Sequence, residues 1–408
     1  MKVFDQLSFI NSYKIQKKID SEYLLFKYNS RHSNMYKTSK LAFSPRVRKS
    51  PYFDSTIKYG AQAFSVYNHM YMPISYKGTE EDYNNLLNGV QLWDVGVERQ
   101  VQIQGPDAEA LSQFLTPRNI KKCSIGQAMY APLLDFEGGF VNDPVMLKLE
   151  EDRFWFSLAD GDALLWVQGI AAGYKFNVEI DEPDVSPLQV QGPNSSELMK
   201  KVFGDWVNDL RFYRFKEVNH EGIPMIIARM GYSRERCYEL FLQDHTKGNE
   251  LWELLWQAGK DLNISAGTPN VILRLEGGIL SYLADMDRTN NPYEVGLDWM
   301  VNLDQEDDFI GKDALREINL KGPEKKLMGA EIEGDPITVF NEEHWPVLIN
   351  GKRVGSMNAL VYSPRLNKNI AYTIIDSEHA KSGQEIIISS PEKEIFATTV
   401  DLPWFDRA

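Results

Sequence analysis

The chain has 408 residues, 43% of them hydrophobic, which is enough for two or three domains that each bury a core. Its formal net charge of −14 repels nucleic-acid phosphates and argues against a nucleic-acid partner. No apolar run approaches the roughly 18 residues that cross a bilayer, so we expect no membrane insertion.

The first 50 residues differ in charge from the rest of the chain. They carry eleven Lys or Arg and three Asp or Glu, which makes this segment net +8 and leaves −22 for residues 51–408. An organelle-targeting leader would have fewer acidic residues and tyrosines. We therefore interpret residues 1–50 as a basic N-terminal extension that is loosely attached to the folded body.

The sequence of residues 101–115 is repeated in altered form at 188–202, with an offset of 87 residues between Gln104 and Gln191. Each copy predicts a strand with alternating apolar residues, a Gln-Gly-Pro turn and an amphipathic helix, capped by Asp107 or Asn194. An offset this long indicates two related α/β units, and a cleft between such units is a common place for a small ligand.

The second half of the chain predicts one clear helix and then a β-rich end. The helical stripe consists of Leu251, Leu254, Leu255, Ala258 and Leu262. Strand-length apolar runs follow at 347–349, 370–375 and 385–388, with turn signals at 350–351 and 363–364. We therefore predict a body over residues 51–310 and a separate β domain over residues 311–408.

Two carboxylates stand out as candidate site residues. Asp143 follows a Gly-Gly turn and a short apolar strand, although a carboxylate in that position is more often a turn or cap residue. Glu239 lies in a strand between two aromatic residues and could accept two parallel hydrogen bonds from an amidine-like heterocycle edge. Alternatively, Glu239 is a structural ion paired with Arg229, Arg234 or Arg236.

Other segments narrow the chemistry. The glycine-rich stretches at 274–278 and 291–297 lack the spacing of a P-loop or a dinucleotide fingerprint. Tyr67, Tyr71 and Trp93 offer faces on which a cation could rest, although such aromatics commonly have a core role.

The six histidines and two cysteines show no metal-ligand spacing, so we predict no metal. So few cysteines favour a reducing compartment, and we expect a cytoplasmic protein.

Taken in this order, the segments resemble the folate-dependent aminomethyltransferase family, that of the glycine cleavage T-protein. The shared motifs are the two Gln-Gly-Pro units, Gly-Gly-x-x-Asn-Asp, Gly-Tyr-x6-Glu, Arg-Leu-Glu-Gly-Gly, Phe-Ile-Gly-Lys at 309–312 and Tyr-Ser-Pro at 362–364. Within this family, the stretches 66–70, 93–95, 97–101, 142–145 and 160–162 are most similar to the bacterial dimethylsulfoniopropionate demethylases.

The resemblance implies an α+β fold, with two interleaved α/β units around a central folate channel and a C-terminal β-barrel-like domain. It implies tetrahydrofolate as co-substrate and suggests a homodimer. By position, Asp143 matches the family's central carboxylate and Glu239 the residue that holds the amino-pyrimidine edge of the pterin. Tyr232 matches the aromatic residue seven positions earlier, and Arg274 is the candidate for the folate tail.

The expected activity is transfer of a methyl group from a small cationic donor, held by Tyr67, Tyr71 and Trp93, to tetrahydrofolate. Dimethylsulfoniopropionate is the best candidate donor, and the products would be 5-methyltetrahydrofolate and the demethylated thioether. The alternatives are an aminomethyltransferase working with a lipoyl carrier protein, a demethylase of a betaine or methylated amine, and a non-catalytic folate-binding protein.

Some positions depart from the family pattern. Aminomethyltransferases have Asp-x-Ser-His where this chain has Asp-Val-Gly-Val at 94–97. This difference argues against the aminomethyltransferase alternative. Compared with the demethylases, Arg236-Cys237 replaces a glycine pair, and Phe241 replaces a tyrosine and so lacks its hydroxyl. Leu283 stands where a glycine is usual, and we expect that a leucine cannot replace glycine if the backbone there needs a positive φ.

Overall fold

The computed structural model describes residues 43–233, 235–337 and 341–405. Most of the predicted basic extension therefore lies outside the described residues, as does Arg234. Among the residues that are described, none of the helices has the length and apolar character needed to cross a bilayer.

Helices and strands are mixed up to residue 321, and beyond it the elements are strands apart from a short 3-10 helix at Ser377–His379. The helices are α1 Phe53–Lys58, α2 Thr79–Asn88, α3 Ala108–Phe114, α4 Ala163–Tyr174, α5 Ser195–Phe203, α6 Gly248–Ala258, α7 Val271–Glu276 and α8 Lys312–Lys321. The strands up to residue 157 are β1 Ala63–Tyr67, β2 Met70–Ser75, β3 Val90–Asp94, β4 Gln100–Gln104, β5 Gln127–Tyr130, β6 Leu133–Leu134, β7 Phe140–Asn142, β8 Val145–Glu150 and β9 Arg153–Ser157. The later strands are β10 Glu179–Asp181, β11 Ser186–Gln191, β12 Phe215–His220, β13 Ile223–Ala228, β14 Cys237–Leu242, β15 Ile264–Gly267, β16 Lys325–Ile332, β17 Trp345–Ile349, β18 Lys352–Ser363, β19 Lys368–Asp376, β20 Glu385–Ser389 and β21 Glu394–Val400.

Two larger sheets form most of the body, beside the two-stranded sheets β1-β2 and β6-β7. One has five strands in the order β10-β4-β9-β8-β5, and the other has six in the order β12-β13-β14-β11-β3-β15. The chain leaves the six-stranded sheet after β3, builds the whole five-stranded sheet and returns at β11. The two units are thus interleaved, which confirms the predicted fold class.

The two Gln-Gly-Pro turns each join a strand to a helix, as the repeat predicts. Their glycines have φ of 128° at Gly105 and 110° at Gly192, a region that side chains rarely adopt. The capping prediction was wrong, because neither helix has a side-chain cap bond. Asp107 instead accepts a hydrogen bond from the Asn177 amide at 2.7 Å, and Asn194 donates to the Leu262 carbonyl at 3.0 Å.

The C-terminal strands close into a barrel in the order β16-β19-β18-β17-β20-β21. Its first hairpin turns at Asn350 and Gly351, both with positive φ, which is the geometry that an Asn-Gly pair favours between antiparallel strands. Glu276 at the end of α7 ties this barrel to the body. Its buried carboxylate accepts hydrogen bonds from Ser363 at 2.5 Å and from Arg365 at 2.6 Å.

The described part of the predicted extension, residues 43–50, contacts the body. Ser50 donates a hydrogen bond to the buried Asp94 carboxylate at 2.5 Å. Arg48 pairs with Glu182 at 2.8 Å. The Phe43 ring packs edge-on against Tyr71, with ring centroids 5.1 Å apart.

Leu283 corrects one expectation from the sequence. The residue keeps a positive φ of 67° although it is not glycine. Its side chain is 52% exposed, so it lies largely in solvent instead of meeting packed neighbours. The Leu283 amide donates to the Met286 carbonyl at 2.8 Å, which holds the turn. The substitution therefore leaves the local backbone shape in place at a conformational cost of about 1–2 kcal/mol.

The Gly138-Gly139 turn before Asp143 depends on close backbone approach. A Cβ on Gly139 would lie 2.1 Å from the Arg288 carbonyl oxygen. We expect Gly139→Ala to destabilise the protein by about 1–3 kcal/mol, because the backbone has to move apart. Urea unfolding measures the change.

Gly169 provides the matched control, since it lies in α4 with no atom within 4 Å of an added Cβ. Gly169→Ala should stabilise by about 0.5–1 kcal/mol through helix propensity. Equal effects of the two substitutions would contradict the steric argument.

Candidate active site

A cavity of about 1630 Å³ lies between the two sheets and the barrel. Five of the residues singled out in the sequence line it: Tyr67, Asp143, Tyr232, Glu239 and Arg274. Its volume exceeds the roughly 300–1,000 Å³ of a typical small-molecule site, so it has room for two ligands side by side.

Asp143 is fixed by the residue before it. The buried Asn142 side chain donates to the carbonyls of Ala159 and Asp160, each at 3.1 Å, and accepts from the Ala159 amide at 3.0 Å. This clamp joins the end of β7 to the loop after β9. Asp143 follows directly and lines the cavity, where the Tyr130 hydroxyl donates to its Oδ2 at 2.9 Å.

The environment of Asp143 changes its acidity. Burial raises the pKa of this carboxyl to about 7, even though the hydrogen bond from Tyr130 favours the charged form. Near neutral pH the group can therefore both accept and release a proton, which is what a general acid or base requires.

Glu239 lies on β14, opposite Gln189 on the neighbouring strand β11. The Gln189 amide donates to Glu239 Oε2 at 3.2 Å, and Gln191 donates to Gln189 Oε1 at 2.7 Å, which orients that amide. Oε1 of Glu239 is buried and has no hydrogen-bond partner among the described residues. Burial, together with the nearby carboxyl of Glu98, raises the pKa of Glu239 well above its usual value.

The alternative of an arginine-paired Glu239 receives no support from the described arginines. Arg229 directs its guanidinium to the Leu210 carbonyl and Arg236 to the Asn208 carbonyl, each at 3.5 Å. The ion pairs among the described residues do not include Glu239. Its unpartnered Oε1 is therefore available to a ligand that donates hydrogen bonds.

Two tyrosines complete this part of the cavity. Tyr232 donates to the Leu280 carbonyl at 2.7 Å, which fixes its ring at the wall. Tyr67 ends β1, immediately before Asn68. The buried Asn68 amide donates to the carbonyls of Val97 and Ala159, each at 3.0 Å, and so holds Tyr67 against the body.

Arg274 lines the cavity, but its charge already has a partner. Its guanidinium forms an ion pair with the carboxylate of Asp285, whose side chain is fully buried. The same carboxylate accepts from the Ser281 amide at 2.8 Å. Because Asp285 already pairs with this guanidinium, Arg274 is a weaker candidate for binding the folate tail than the sequence suggested.

The structure does not bring Tyr71 and Trp93 to the cavity. Tyr71 is 1% exposed and its hydroxyl accepts from the Ser44 amide at 3.0 Å. Trp93 is fully buried in β3 and donates to Gln91 at 2.8 Å. Both lie in the core, so we do not include them in the site, and Tyr67 alone of the three aromatics lines the cavity.

Glu98 and Arg118 also line the cavity and were not singled out as site residues from the sequence. Glu98 lies between β3 and β4, and burial together with the Asp143 carboxyl raises its pKa to about 8. Arg118 packs its guanidinium on the Trp299 ring, 4.9 Å from the centroid. Glu98 belongs to the stretch 97–101 that resembles the demethylases, which was the signal available in the sequence.

Outside the cavity, one cluster among the described residues has side chains close enough for a metal ion. It consists of Asp184, Asp244 and His245. His245 and Asp184 already pair at 2.9 Å, and both side chains are more than half exposed. Exposed acidic clusters of this kind are common without a metal, and we assign this one no role.

Comparisons with known proteins bear on the whole chain. The family model described as the GCVT N-terminal domain matches residues 52–305, and the glycine cleavage T-protein C-terminal barrel domain matches residues 325–406. The dimethylsulfoniopropionate demethylase of Ruegeria pomeroyi is 41% identical over 349 residues, which cover 86% of this chain and 95% of that protein.

More distant relatives are aminomethyltransferases. That of Halothermothrix orenii is 29% identical over 363 residues, or 88% of this chain and 100% of that protein. The solved structure of the glycine cleavage system aminomethyltransferase T from Bartonella henselae has a TM-score of 0.80, with 22% identity and coverage of 88% of this chain and 99% of that one. At that identity the likeness supports the fold alone.

The Arg274–Asp285 pair makes a prediction about stability. Asp285→Ala leaves a buried guanidinium without its counter-ion, so we expect a loss of about 3–5 kcal/mol in the free energy of unfolding. As a control, Asp313→Ala removes an exposed partner of Arg316 and should cost less than about 1 kcal/mol. Urea unfolding compares the two, and similar losses would contradict a structural role for Arg274.

Proposed function

Because the chain belongs to the family of the glycine cleavage T-protein, we propose that it transfers a methyl group from a small cationic donor to tetrahydrofolate. The best candidate donor is dimethylsulfoniopropionate, since the relative of that activity is 41% identical over 86% of the chain. The products are then 5-methyltetrahydrofolate and the demethylated thioether.

The observation that carries this proposal is the convergence of Tyr67, Asp143, Tyr232 and Glu239 on one cavity. They come from three separate stretches of the chain, and each has its own hydrogen-bonded or packed support. The two carboxyl groups have different surroundings, so they can take different roles. Asp143 is poised to exchange a proton, whereas Glu239 is poised to bind.

The residues present fit a tetrahydrofolate molecule. The orphaned Oε1 of the buried Glu239, beside the oriented Gln189 amide, fits the hydrogen-bond donors on an amino-pyrimidine edge. A charge-assisted bond of this kind would relieve a buried acceptor that otherwise lacks a partner. We assign the pterin-binding role to Glu239 and place Tyr232 beside it.

When bound, tetrahydrofolate supplies N5, the nitrogen that accepts the methyl group. A sulfonium methyl carbon is already activated by its positive leaving group, so the protein mainly has to align donor and acceptor. Tyr67 offers an aromatic face to the cation. The Asp143 carboxylate accepts the proton that N5 releases, and the Tyr130 hydroxyl keeps this carboxylate in position.

An aminomethyltransferase that works with a lipoyl carrier is the second candidate, because proteins of that name also match most of the chain. The residues at 96 and 97 do not favour it. They are Gly96 and Val97 where those enzymes have Ser and His, and Val97 is 1% exposed in the cavity wall.

The direct test is to incubate the purified protein with tetrahydrofolate and dimethylsulfoniopropionate and to follow 5-methyltetrahydrofolate by mass spectrometry. We expect product that depends on the donor. Bound folate without product from sulfonium, betaine or methylated-amine donors would contradict the demethylase. Ammonia release only in the presence of a lipoyl carrier would favour the second candidate.

Asp143 predicts the pH dependence of that reaction. The carboxylate is the active form in this proposal, and its pKa of about 7 means that it is protonated at lower pH. The rate should therefore rise as the pH increases through about 7 and then level off. Asp143→Asn should remove this step and lower kcat on the order of 100-fold.

Asp313→Asn, on the exposed face of α8, is the control and should keep the wild-type profile. Stopped-flow or quenched-flow measurement of single turnovers across pH 5.5–8.5, a range of roughly 1.5 units on either side of the pKa, separates this step from product release. An unchanged pH profile in Asp143→Asn would exclude the proton-accepting role.

Arg118 is our candidate for the negatively charged tail of the folate, in place of the ion-paired Arg274. It lines the cavity, and none of the ion pairs among the described residues includes it. The Trp299 ring beneath it is 64% exposed and can cover the benzoyl part of the tail. A planar guanidinium suits a carboxylate through paired hydrogen bonds.

We expect Arg118→Ala to weaken tetrahydrofolate binding about tenfold, which is the effect of losing one charge-assisted contact. Arg316→Ala on α8 is the matched control and should leave the affinity unchanged. Fluorescence titration measures both dissociation constants. An unchanged affinity in Arg118→Ala would mean that another part of the cavity binds the folate tail.

A further inference from the structure

Glu98 occupies the point where the chain crosses from the six-stranded sheet to the five-stranded sheet. The turn after β3 is held by hydrogen bonds from the Glu98 amide to Val95 at 2.9 Å and from the Arg99 amide to Val97 at 3.0 Å. Arg99 directs its guanidinium to Glu182, with Nε at 2.7 Å. The side chain of Glu98 lines the cavity.

The groups that face Glu98 are acidic or neutral. Asp143 comes from the loop after β7, Glu239 from β14 and the Tyr67 hydroxyl from β1, and all interact electrostatically with it. The Ser157 hydroxyl on β9 favours the charged form of Glu98 and so acts to lower its pKa. Within the described ranges, no lysine or arginine forms an ion pair with Glu98, Asp143 or Glu239.

Asp143 and Glu239 each have a neutral side chain that holds one carboxyl oxygen, Tyr130 and Gln189 respectively. Glu98 interacts electrostatically with both of these carboxyls. It also interacts with Tyr67, the aromatic residue that faces the donor in the proposed function. A positive charge that enters beside Tyr67 therefore meets Glu98 as an acidic group that none of the described lysines or arginines pairs with.

We propose that Glu98 selects the methyl donor by its positive charge, staying protonated in the cavity without a donor and releasing its proton as the sulfonium binds. The inference rests on the proposed function and identifies the donor class as molecules with a fixed positive charge. The step balances, because Glu98 goes from carboxylic acid to carboxylate and the proton passes to solvent. The charge of the sulfonium then has a counter-charge inside the cavity.

The size of the effect follows from the surroundings. Burial and the Asp143 carboxyl raise the pKa of Glu98 to about 8, so the acid form predominates at neutral pH. A neighbouring positive charge lowers the pKa of a carboxyl by about 1–3 units. Donor binding at pH 7 should therefore release about 0.4–0.9 of a proton from this residue, and far less at pH 9.

Isothermal titration of dimethylsulfoniopropionate into the full-length protein, in buffers of different ionisation enthalpy, measures this release. The demethylated thioether 3-(methylthio)propionate is the matched probe because it lacks the positive charge. We expect proton release with the sulfonium and none with the thioether. The titration is run with and without folic acid, whose oxidised pterin does not accept the methyl group.

Glu98→Gln keeps the shape of the side chain and removes its ionisation. We expect it to lower the proton release at pH 7 by at least about 0.4 of a proton and to raise the Kd for the sulfonium at least about fivefold at pH 8. The Kd for the thioether and for tetrahydrofolate should change less than about twofold. A purely structural role would weaken all three ligands together.

Glu235→Gln is the matched control. Glu235 also lines the cavity, but it lies 3.9 Å from Arg365 and so already has a cationic neighbour. This variant should keep the wild-type proton release. Donor binding and methyl transfer with the same proton release in wild type and Glu98→Gln would overturn the inference and leave the proposed function intact. No donor binding and no methyl transfer by the wild type would overturn both.

Discussion

The main electrostatic constraint on this molecule is the gathering of three carboxyl groups, Glu98, Asp143 and Glu239, around one cavity without a paired lysine or arginine among the described residues. An isolated carboxylate has a high desolvation free energy in such a place, so the group usually takes up a proton. Burial is accordingly the largest cause of the raised pKa in each of them. The cavity is therefore suited to ligands that bring positive charge or hydrogen-bond donors.

The topology explains why these groups meet. The five-stranded sheet is inserted in the chain between β3 and β11 of the six-stranded sheet, so the β3–β4 connection has to cross the boundary between them. Two buried asparagines fasten the neighbouring segments to the same loop, since Asn68 and Asn142 both donate to the Ala159 carbonyl. The positions of Tyr67 and Asp143 are thus set by backbone carbonyls, which shift less than side chains do.

Much of this arrangement could be predicted from the sequence. The repeat with its Gln-Gly-Pro turns predicted the two units, and strand-length apolar runs with an Asn-Gly turn predicted the barrel domain. Asp143 and Glu239 were found because each stands in an ordered motif. These features are local, and local patterns are what a sequence displays directly.

The rest depended on contacts between distant segments. Tyr71 and Trp93 have the residue types of a cation site, but the same types fill a core, and only the packing distinguishes the two. The charge of Arg274 is taken by Asp285, a partner eleven residues further on with no spacing that identifies it. Glu98 lies in the demethylase-like stretch 97–101, but that stretch does not identify it as a site residue; the chain crossing between the two sheets brings it to the same cavity as Asp143.

Residues 43–50 have a practical consequence for anyone who wishes to shorten the chain. The charge pattern suggests a cut after residue 50, yet the Ser50 hydroxyl is a hydrogen-bond donor to Asp94, whose pKa burial raises to about 6. Cutting there would remove the Ser50 donor and the ion pair between Arg48 and Glu182. It would also remove the packing of the Phe43 ring against Tyr71. An expression clone that keeps these contacts should therefore begin no later than residue 43.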